Sequence, residues 1–140
     1  MMENLLIKHV MTAVPIQLSV RETVQTALGV MQMHEVRHLP IVDGQEVIGV
    51  VSERDLLAAQ STHEHVDEEN DSPLITKVCS IDKYQVGPDT PLADVLETMA
   101  KKHIGSALIT QGGVLLGIFT ATDACRFWAK QLRGEAVNQL

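Results

Sequence analysis

Residues 49–55, Gly-Val-Val-Ser-Glu-Arg-Asp, return at 117–123 as Gly-Ile-Phe-Thr-Ala-Thr-Asp, 68 positions later. Without a gap, the same offset superposes apolar residues elsewhere in the chain, namely Val10 on Val78, Met31 on Met99 and Ile41 on Ile109. Self-similarity at a fixed period is the signature of an internal repeat. The chain is therefore expected to contain two copies of one unit.

The length and composition suit one small domain. One copy of about 60 residues would bury too small a fraction of its surface to be stable on its own, so the copies are expected to share one core. The 140 residues are 45% hydrophobic but include only two Phe, one Trp and one Tyr. That core must therefore be mainly aliphatic. The overall composition is ordinary for a soluble protein.

The charge distribution argues against nucleic-acid binding. Of the formal net charge of -7, five units come from acidic residues at 64–71, so the rest of the chain carries only -2. Binding to a phosphate backbone requires a dense basic face, which the sequence does not offer. No basic segment precedes an apolar run at the N-terminus, and no apolar stretch is long enough to cross a bilayer. We expect a cytoplasmic protein without membrane contact.

Apolar spacing predicts the helices. From 21 to 34, the spacing i, i+3, i+4, i+7 of one helix face is filled by Val24, Ala27, Leu28 and Met31. Residues 92–99 repeat this pattern, and further helices are expected at 55–60 and 123–132.

Two helix starts carry capping signals. Ser19 with Glu22 predicts a capping box at the first helix. Thr90 before Pro91 predicts an N-cap followed by proline at the first helical position.

Residues 39–42 and 47–51 are rich in branched side chains, and Asp43-Gly44-Gln45 between them predicts a hairpin. Pro40 has no amide hydrogen, so its strand should lie at an edge or present that position away from the ladder. With an extended segment at 12–18, each copy follows the order strand, helix, strand, strand, helix.

Residues 61–72 are polar and acidic and predict a mobile linker. We therefore expect one repeat with an N-terminal helix at 1–60 and a second repeat with a C-terminal helix at 73–140. The linker contains His63, Glu64 and His65, but metal chelation needs a fixed geometry that a solvated linker does not supply. No metal site is predicted.

Ser52-Glu53-Arg54-Asp55 and Thr120-Ala121-Thr122-Asp123 share the form Ser/Thr-x-x-Asp directly after a predicted strand. Two interpretations are open. The motif is a variant of the capping box, which occurs in proteins of every function. Alternatively, the helix N-terminus and the hydroxyl bind a phosphate while the ionised Asp accepts hydrogen bonds from the two hydroxyls of a ribose. Phosphate and ribose together imply a nucleotide.

Taken together, these motifs resemble a tandem pair of cystathionine β-synthase (CBS) domains, the stand-alone form of a Bateman module. The resemblance extends from residue 8 to 131 and rests on residues 10–12, 36–43 and 49–55 with their copies. It implies an α+β fold of two β-α-β-β-α repeats that pack through their sheets with pseudo-twofold symmetry and leave two clefts. It also implies a homodimer, commonly a flat disc.

The resemblance implies a ligand site as well. The Asp of each motif would hold a ribose, the Ser or Thr would lie near the phosphates, and the base would be enclosed by 12–16 with 38–40, or by 80–84 with 106–108. The ligand-binding residues expected from this pattern are Thr12, Ile16, Arg37, His38, Pro40, Ser52, Arg54, Asp55, Ser80, Tyr84, Ser106, Thr120 and Asp123.

The second copy departs from the family's pattern. Leu108 stands at the position of Pro40, and Gly105-Ser106 stands at that of Arg37-His38, a basic pair able to neutralise phosphates or simply a surface cation pair. This departure argues against two equivalent sites. Tyr84 is interpreted either as a packing residue or as a stacking partner for adenine.

We expect a regulatory module that binds AMP, ADP or ATP, with S-adenosylmethionine and NAD as alternatives, and that needs no cofactor. It would act by conformational change or through a partner protein. The competing hypothesis is a structural or interaction subunit whose clefts are vestigial.

An enzyme is not expected, because no Cys/His or Ser/His pairing is evident. Cys79 and Cys125 are predicted to be buried free thiols. Large apolar residues near the C-terminus, namely Phe127, Trp128 and Leu132, predict either a core stripe or a dimer contact.

Overall fold

The helices and strands recur in the order that the repeat predicts. A computed structural model describes residues 4–13, 16–62, 74–79 and 83–135. Its strands are β1 (Thr12–Ala13), β2 (Leu18–Ser19), β3 (His38–Asp43), β4 (Glu46–Ser52), β5 (Gln85–Val86), β6 (Ser106–Gln111) and β7 (Val114–Thr120). Its helices are α1 (Val24–His34), α2 (Glu53–Thr62), α3 (Leu92–Lys102) and α4 (Ala121–Leu132). The predicted α+β class with two β-α-β-β-α repeats is confirmed.

The chain forms two compact units that interleave along the sequence. The first-repeat unit is drawn from Ile16–Lys83, and the second-repeat unit from Met1–Pro15 together with Tyr84–Leu140. Residues 4–13 therefore lie at the start of the first repeat in sequence but belong to the unit of the second.

The sheet of the first-repeat unit has the order β2-β3-β4. Strand β2 pairs in parallel with β3 through Ile41 and Val42, and β3 pairs antiparallel with β4. Pro40 therefore lies just outside the parallel ladder. This agrees with the second of the two predicted alternatives, a proline placed away from the ladder. The antiparallel register also places His38 opposite Ser52, at the point where β4 leads into α2.

The sheet of the second-repeat unit has the order β5-β6-β7-β1. Its parallel and antiparallel pairings repeat those of the first sheet, and β1 pairs with β7 with Thr12 opposite Ile118. Gly117 makes this pairing close, because an added Cβ would lie 2.9 Å from the carbonyl oxygen of Thr12. That distance is shorter than a Cβ tolerates, so the segment bearing Thr12 depends on a glycine in β7.

Each unit has its own buried hydrophobic cluster, rather than the one shared core that the size of a copy suggested. In the first-repeat unit the cluster comprises Val24, Ala27, Met31, Leu39, Ile41, Val51, Leu56 and Ile75. In the second-repeat unit it comprises Ile7, Leu92, Val95, Met99, Ala107, Ile109, Phe119 and Phe127. Most members correspond at the 68-residue offset, and all but two are aliphatic, as predicted.

A short 3-10 turn from elsewhere in the chain completes each cluster. The turn Ile7–His9 lies in the second-repeat unit, where the amide of Ile7 donates to the carbonyl of Thr90 at 2.8 Å. The turn Ile75–Lys77 lies in the first-repeat unit, where the amide of Ile75 donates to the carbonyl of Glu22 at 2.9 Å. Ile7 and Ile75 are related by the 68-residue offset, and so are the acceptors Glu22 and Thr90. Each repeat thus contributes its turn to the hydrophobic cluster of the other, which we call the reciprocal exchange of turns.

Both predictions of helix starts were wrong in their capping residues. Helix α1 is capped by Thr23, whose Oγ1 accepts from the amide of Thr26 at 3.2 Å, rather than by a box of Ser19 with Glu22. Helix α3 has Pro91 as its N-cap residue without a side-chain bond, so Thr90 is not the cap. The helices nevertheless start at equivalent positions.

Helices α1 and α3 end at equivalent residues with left-handed backbone, Glu35 at φ 55° and His103 at φ 54°. This conformation costs a side chain about 1–2 kcal/mol, which glycine avoids, although glycine also gives the unfolded chain more entropy. We expect His103→Gly to raise the free energy of unfolding in urea by about 0.5–1 kcal/mol. Within α3, the control Lys101→Gly should lower it by about 1 kcal/mol. A loss of stability in His103→Gly would contradict this account of the helix end.

Candidate functional site

The first Ser/Thr-x-x-Asp motif spans the junction of β4 and α2. The Oγ of Ser52 accepts a hydrogen bond from the amide of Asp55 at 3.1 Å, which begins the helix. The amide of Glu53 donates to the carbonyl of Arg37 at 2.8 Å, which joins the helix start to the residue before β3. The first-repeat unit thus brings together a hydroxyl, the exposed carboxylate of Asp55 and the Arg37-His38 pair.

The surroundings of His38 disfavour its charged form. Its partial burial lowers the pKa of the imidazole, and the nearby negative charge of Asp55 only partly opposes this effect. Of the predicted basic pair, Arg37 therefore carries the positive charge at neutral pH. The Nε of Arg37 lies 3.9 Å from Oε1 of Glu53, and its side chain is 80% exposed. It is thus accessible to an anionic group.

The lowered pKa of His38 predicts a pH dependence of stability. Because the folded pKa lies below 6.5, its ordinary value, the unfolded chain binds more protons as the pH falls below that value. Stability is thus fully present above pH 6.5 and is lost as the pH falls through the folded pKa. We expect His38→Gln to flatten the decline in the free energy of unfolding, measured in urea at a series of pH values. The exposed His34→Gln should keep the wild-type slope, and an unchanged slope in His38→Gln would contradict the assignment.

The second motif spans the junction of β7 and α4 and forms a complete capping box. The Oγ1 of Thr120 accepts from the amide of Asp123 at 3.2 Å, and Oδ2 of Asp123 accepts from the amide of Thr120 at 3.0 Å. Nη1 of Arg126 donates to Oδ1 of Asp123 at 3.2 Å. Both carboxylate oxygens are therefore engaged, and the Asp123 side chain is only 14% exposed.

Other predicted residues assemble around this second motif. Ser106 lies opposite Thr120 in the register of β6 and β7, and the exposed Thr12 lies on β1, next to β7. Tyr84 packs against the hydrophobic cluster of the second-repeat unit, which favours its interpretation as a packing residue. Its carbonyl accepts from the amide of Leu108 at 2.9 Å.

The remaining predicted residues belong to the first-repeat unit, apart from Ser80, which lies outside the described residues. Ile16 is 37% exposed, Pro40 is buried and Arg54 is exposed. Of the two residues predicted to flank one base, Thr12 belongs to the second-repeat unit and Ile16 to the first-repeat unit. Arg126 follows Asp123 by three positions on α4, a spacing at which oppositely charged side chains on a helix meet.

Both cysteines are free thiols, but the prediction that both are buried was wrong for Cys125, which is exposed on α4. Cys79 is half-buried, and this burial raises the pKa of its thiol against the opposing charge of Lys83. A raised pKa disfavours the reactive thiolate.

The described residues contain neither a cluster of metal ligands nor a helix able to span a membrane. In residues 4–13, 16–62, 74–79 and 83–135, no three His, Cys, Asp or Glu side chains cluster as metal ligands. The predicted linker residues His63, Glu64 and His65 lie outside those ranges. No helix in the described part of the chain combines the length and hydropathy needed to cross a membrane.

Sequence comparison matches the CBS domain family model twice, at residues 7–62 and 75–130. An inosine-5'-monophosphate dehydrogenase of Korarchaeum cryptofilum is 28% identical over 122 residues, which are 86% of this chain but only 23% of that protein. The CBS domain-containing protein YhcV of Bacillus subtilis is 26% identical over 135 residues, covering 96% of this chain and 94% of YhcV.

Solved structures with the same fold cover nearly the whole chain. One described as an acetoin utilization protein, AcuB, from Vibrio cholerae has a TM-score of 0.79 at 30% identity and covers 94% of this chain and 98% of its own. The CBS domain pair of protein MJ0100, in complex with 5'-methylthioadenosine and S-adenosyl-L-methionine, has a TM-score of 0.79 at 22% identity, with 91% and 98% coverage. CBSX2 in complex with AMP has a TM-score of 0.75 at 22% identity, again with 91% and 98% coverage.

Proposed function

Because the chain belongs to the CBS domain family, with two copies of the domain, we propose that it is a regulatory module that binds an adenosine compound. Binding is transmitted by a change of conformation or through a partner protein. The observation that carries the proposal is the geometry at the start of α2. There Ser52, the last residue of β4, and Asp55, in the first turn of α2, lie beside an exposed arginine, Arg37.

The groups at this helix start match the parts of a nucleotide. The positive end of the α2 dipole and the hydroxyl of Ser52 favour an anionic group such as phosphate. The carboxylate of Asp55 is exposed and can accept two charge-assisted hydrogen bonds from the vicinal hydroxyls of a ribose. Arg37 and Arg54 are both exposed and favour the phosphate-bearing ligands AMP, ADP and ATP over S-adenosylmethionine, which carries no phosphate.

Two structural neighbours support adenosine as the shared chemistry. MJ0100 was crystallised with 5'-methylthioadenosine and S-adenosyl-L-methionine, and CBSX2 with AMP. The three ligands have the adenosine moiety in common and differ beyond the ribose. We therefore propose that adenosine is the part recognised in common, and that the residues around α2 select the group attached beyond the ribose.

The proposal is tested by isothermal titration calorimetry of the wild-type protein with AMP, ADP, ATP, S-adenosylmethionine and NADH. We expect saturable heat with at least one of the five compounds. Inosine monophosphate serves as the matched control, since it keeps the ribose and phosphate but replaces the adenine amino group by oxygen. Absence of heat with all five compounds from folded protein would overturn the proposal.

A structural or interaction subunit is the second candidate, and one observation favours it. Both carboxylate oxygens of Asp123 are occupied by bonds within the protein, so the second motif serves as a capping box. If the first motif had the same role, Asp55→Asn would lower the free energy of unfolding without changing the response to any nucleotide.

The proposal extends to assembly and location. Trp128 is 39% exposed and Leu132 is 86% exposed on α4, which supports their interpretation as contacts of a homodimer. The cytoplasm, where adenine nucleotides are abundant, is the proposed location. No catalytic step is assigned to these residues. The dehydrogenase activity of the Korarchaeum relative belongs to a protein of which this chain spans 23%.

A further inference from the structure

The extended segments before β2 and β5 are held differently in the two repeats. In the second-repeat unit the parallel ladder starts with Gln85 beside Leu108, and in the first-repeat unit it starts only with Leu18 beside Ile41. At the 68-residue offset, the second ladder begins one residue earlier than the first. The extra step includes the bond from the Leu108 amide to the carbonyl of Tyr84 at 2.9 Å.

Pro40 accounts for the shorter ladder in the first repeat. It occupies the position of Leu108 but has no amide hydrogen, so it has none to donate to the carbonyl of Ile16, the counterpart of Tyr84. A second bond reinforces the contrast, because Oγ1 of Thr110 donates to Oε1 of Gln85 at 3.4 Å, and Val42 stands where Thr110 does. In the second repeat, the backbone of Tyr84 and the side chain of Gln85 are thus already hydrogen-bonded to β6.

The two aspartates show the same asymmetry. Both carboxylate oxygens of Asp123 accept hydrogen bonds, one from the amide of Thr120 and one from the guanidinium of Arg126. The position equivalent to Arg126 is Ala58, which carries no guanidinium, and Asp55 is exposed. A ribose would have to break the Arg126 bond at Asp123, whereas within the described residues no guanidinium is bonded to the carboxylate of Asp55.

We infer that the chain binds one adenosine ligand, at the first repeat, and that Leu108 and Arg126 close the equivalent position in the second repeat. This inference rests on the proposed function and specifies which copy of its site is used. Pro40 and Asp55 are then the residues that keep the first copy open. Leu108 and Arg126 are the determinants that convert the second copy into a structural junction.

The test exchanges these determinants and counts ligands per chain by calorimetric titration with the five adenosine compounds. Wild-type protein should bind one equivalent. The double variant Leu108→Pro/Arg126→Ala should bind two, because it removes both internal donors, while Pro40→Leu should weaken binding at least tenfold. Circular dichroism and urea unfolding establish that each variant is folded.

Two further variants decide the matter if the double variant does not fold. Asp55→Asn should weaken the single binding event roughly 10- to 100-fold, and Asp123→Asn should leave one equivalent in place with its affinity unchanged. Two equivalents in the wild-type protein, or loss of binding in Asp123→Asn alone, would overturn this inference while leaving the proposed function standing. Absence of binding by every compound to wild-type protein would overturn both.

Discussion

Replacing Ile7 with alanine is expected to lower the free energy of unfolding by about 2–5 kcal/mol, a large share of the stability of a small protein. Ile7 lies at the start of the first repeat in sequence but is fully buried in the cluster of the second-repeat unit. Truncation removes apolar contacts there and leaves a cavity that the surrounding residues fill only partly. Ile75, its counterpart in the first-repeat unit, should show a loss of similar size. Equilibrium unfolding in urea measures both.

Leu74→Ala is the matched control, because Leu74 neighbours Ile75 but is 48% exposed. Its truncation should cost well under half as much as that of Ile75, since less of its surface leaves water on folding. If Ile7→Ala and Leu74→Ala proved equally mild, the turn Ile7–His9 would not be part of a core. The reciprocal exchange of turns between the repeats would then contribute little to the free energy of unfolding.

Replacing Asp55 with asparagine is expected to weaken binding of the adenosine ligand by roughly 10- to 100-fold, measured by titration calorimetry. The carboxylate accepts hydrogen bonds that are charge-assisted, each worth about 1.5–3 kcal/mol in related settings. Asparagine keeps the shape and the backbone bond from residue 55 to Ser52 but loses the charge and one acceptor. The loss should therefore appear in affinity with little change in stability.

Asp43→Asn removes the same charge from an exposed hairpin position in the same repeat and should leave affinity unchanged within about twofold, as long-range surface charges are screened by salt. Asp123→Asn should instead lower the free energy of unfolding by about 0.5–2 kcal/mol, because it weakens a helix cap. An affinity loss of equal size in Asp43→Asn would show that net charge, rather than a ribose contact, accounts for the effect.

Local and repeated features of the fold could be predicted from the sequence. The offset of 68 residues located equivalent core positions such as Met31 and Met99, because side chains with the same role recur in both copies. The junctions at Ser52 and Thr120 were also predicted, since a hydroxyl followed by Asp three residues later is a local signal for a helix start. These features depend on neighbours within a few positions.

Features that depend on distant residues were not predictable in this way. Nothing in the local pattern around Ile7 shows that it packs with Phe119 in the cluster of the other repeat. The replacement of Pro40 by Leu108 was visible in the sequence, but its consequence, an amide bond to Tyr84, required the geometry. His38 was grouped with Arg37 as a basic pair, and the lowering of its pKa by burial depends on packing that the sequence does not show.

The most direct test of the account is to map amide chemical shifts by NMR during titration with the adenosine compound of highest affinity. The account predicts saturating shifts at His38, Ser52 and Asp55 in the first repeat. Their counterparts Ser106, Thr120 and Asp123 should move much less. Saturating shifts confined to the counterparts would contradict the assignment to the first repeat, and the absence of shifts with all five compounds would contradict the proposal of an adenosine-binding module.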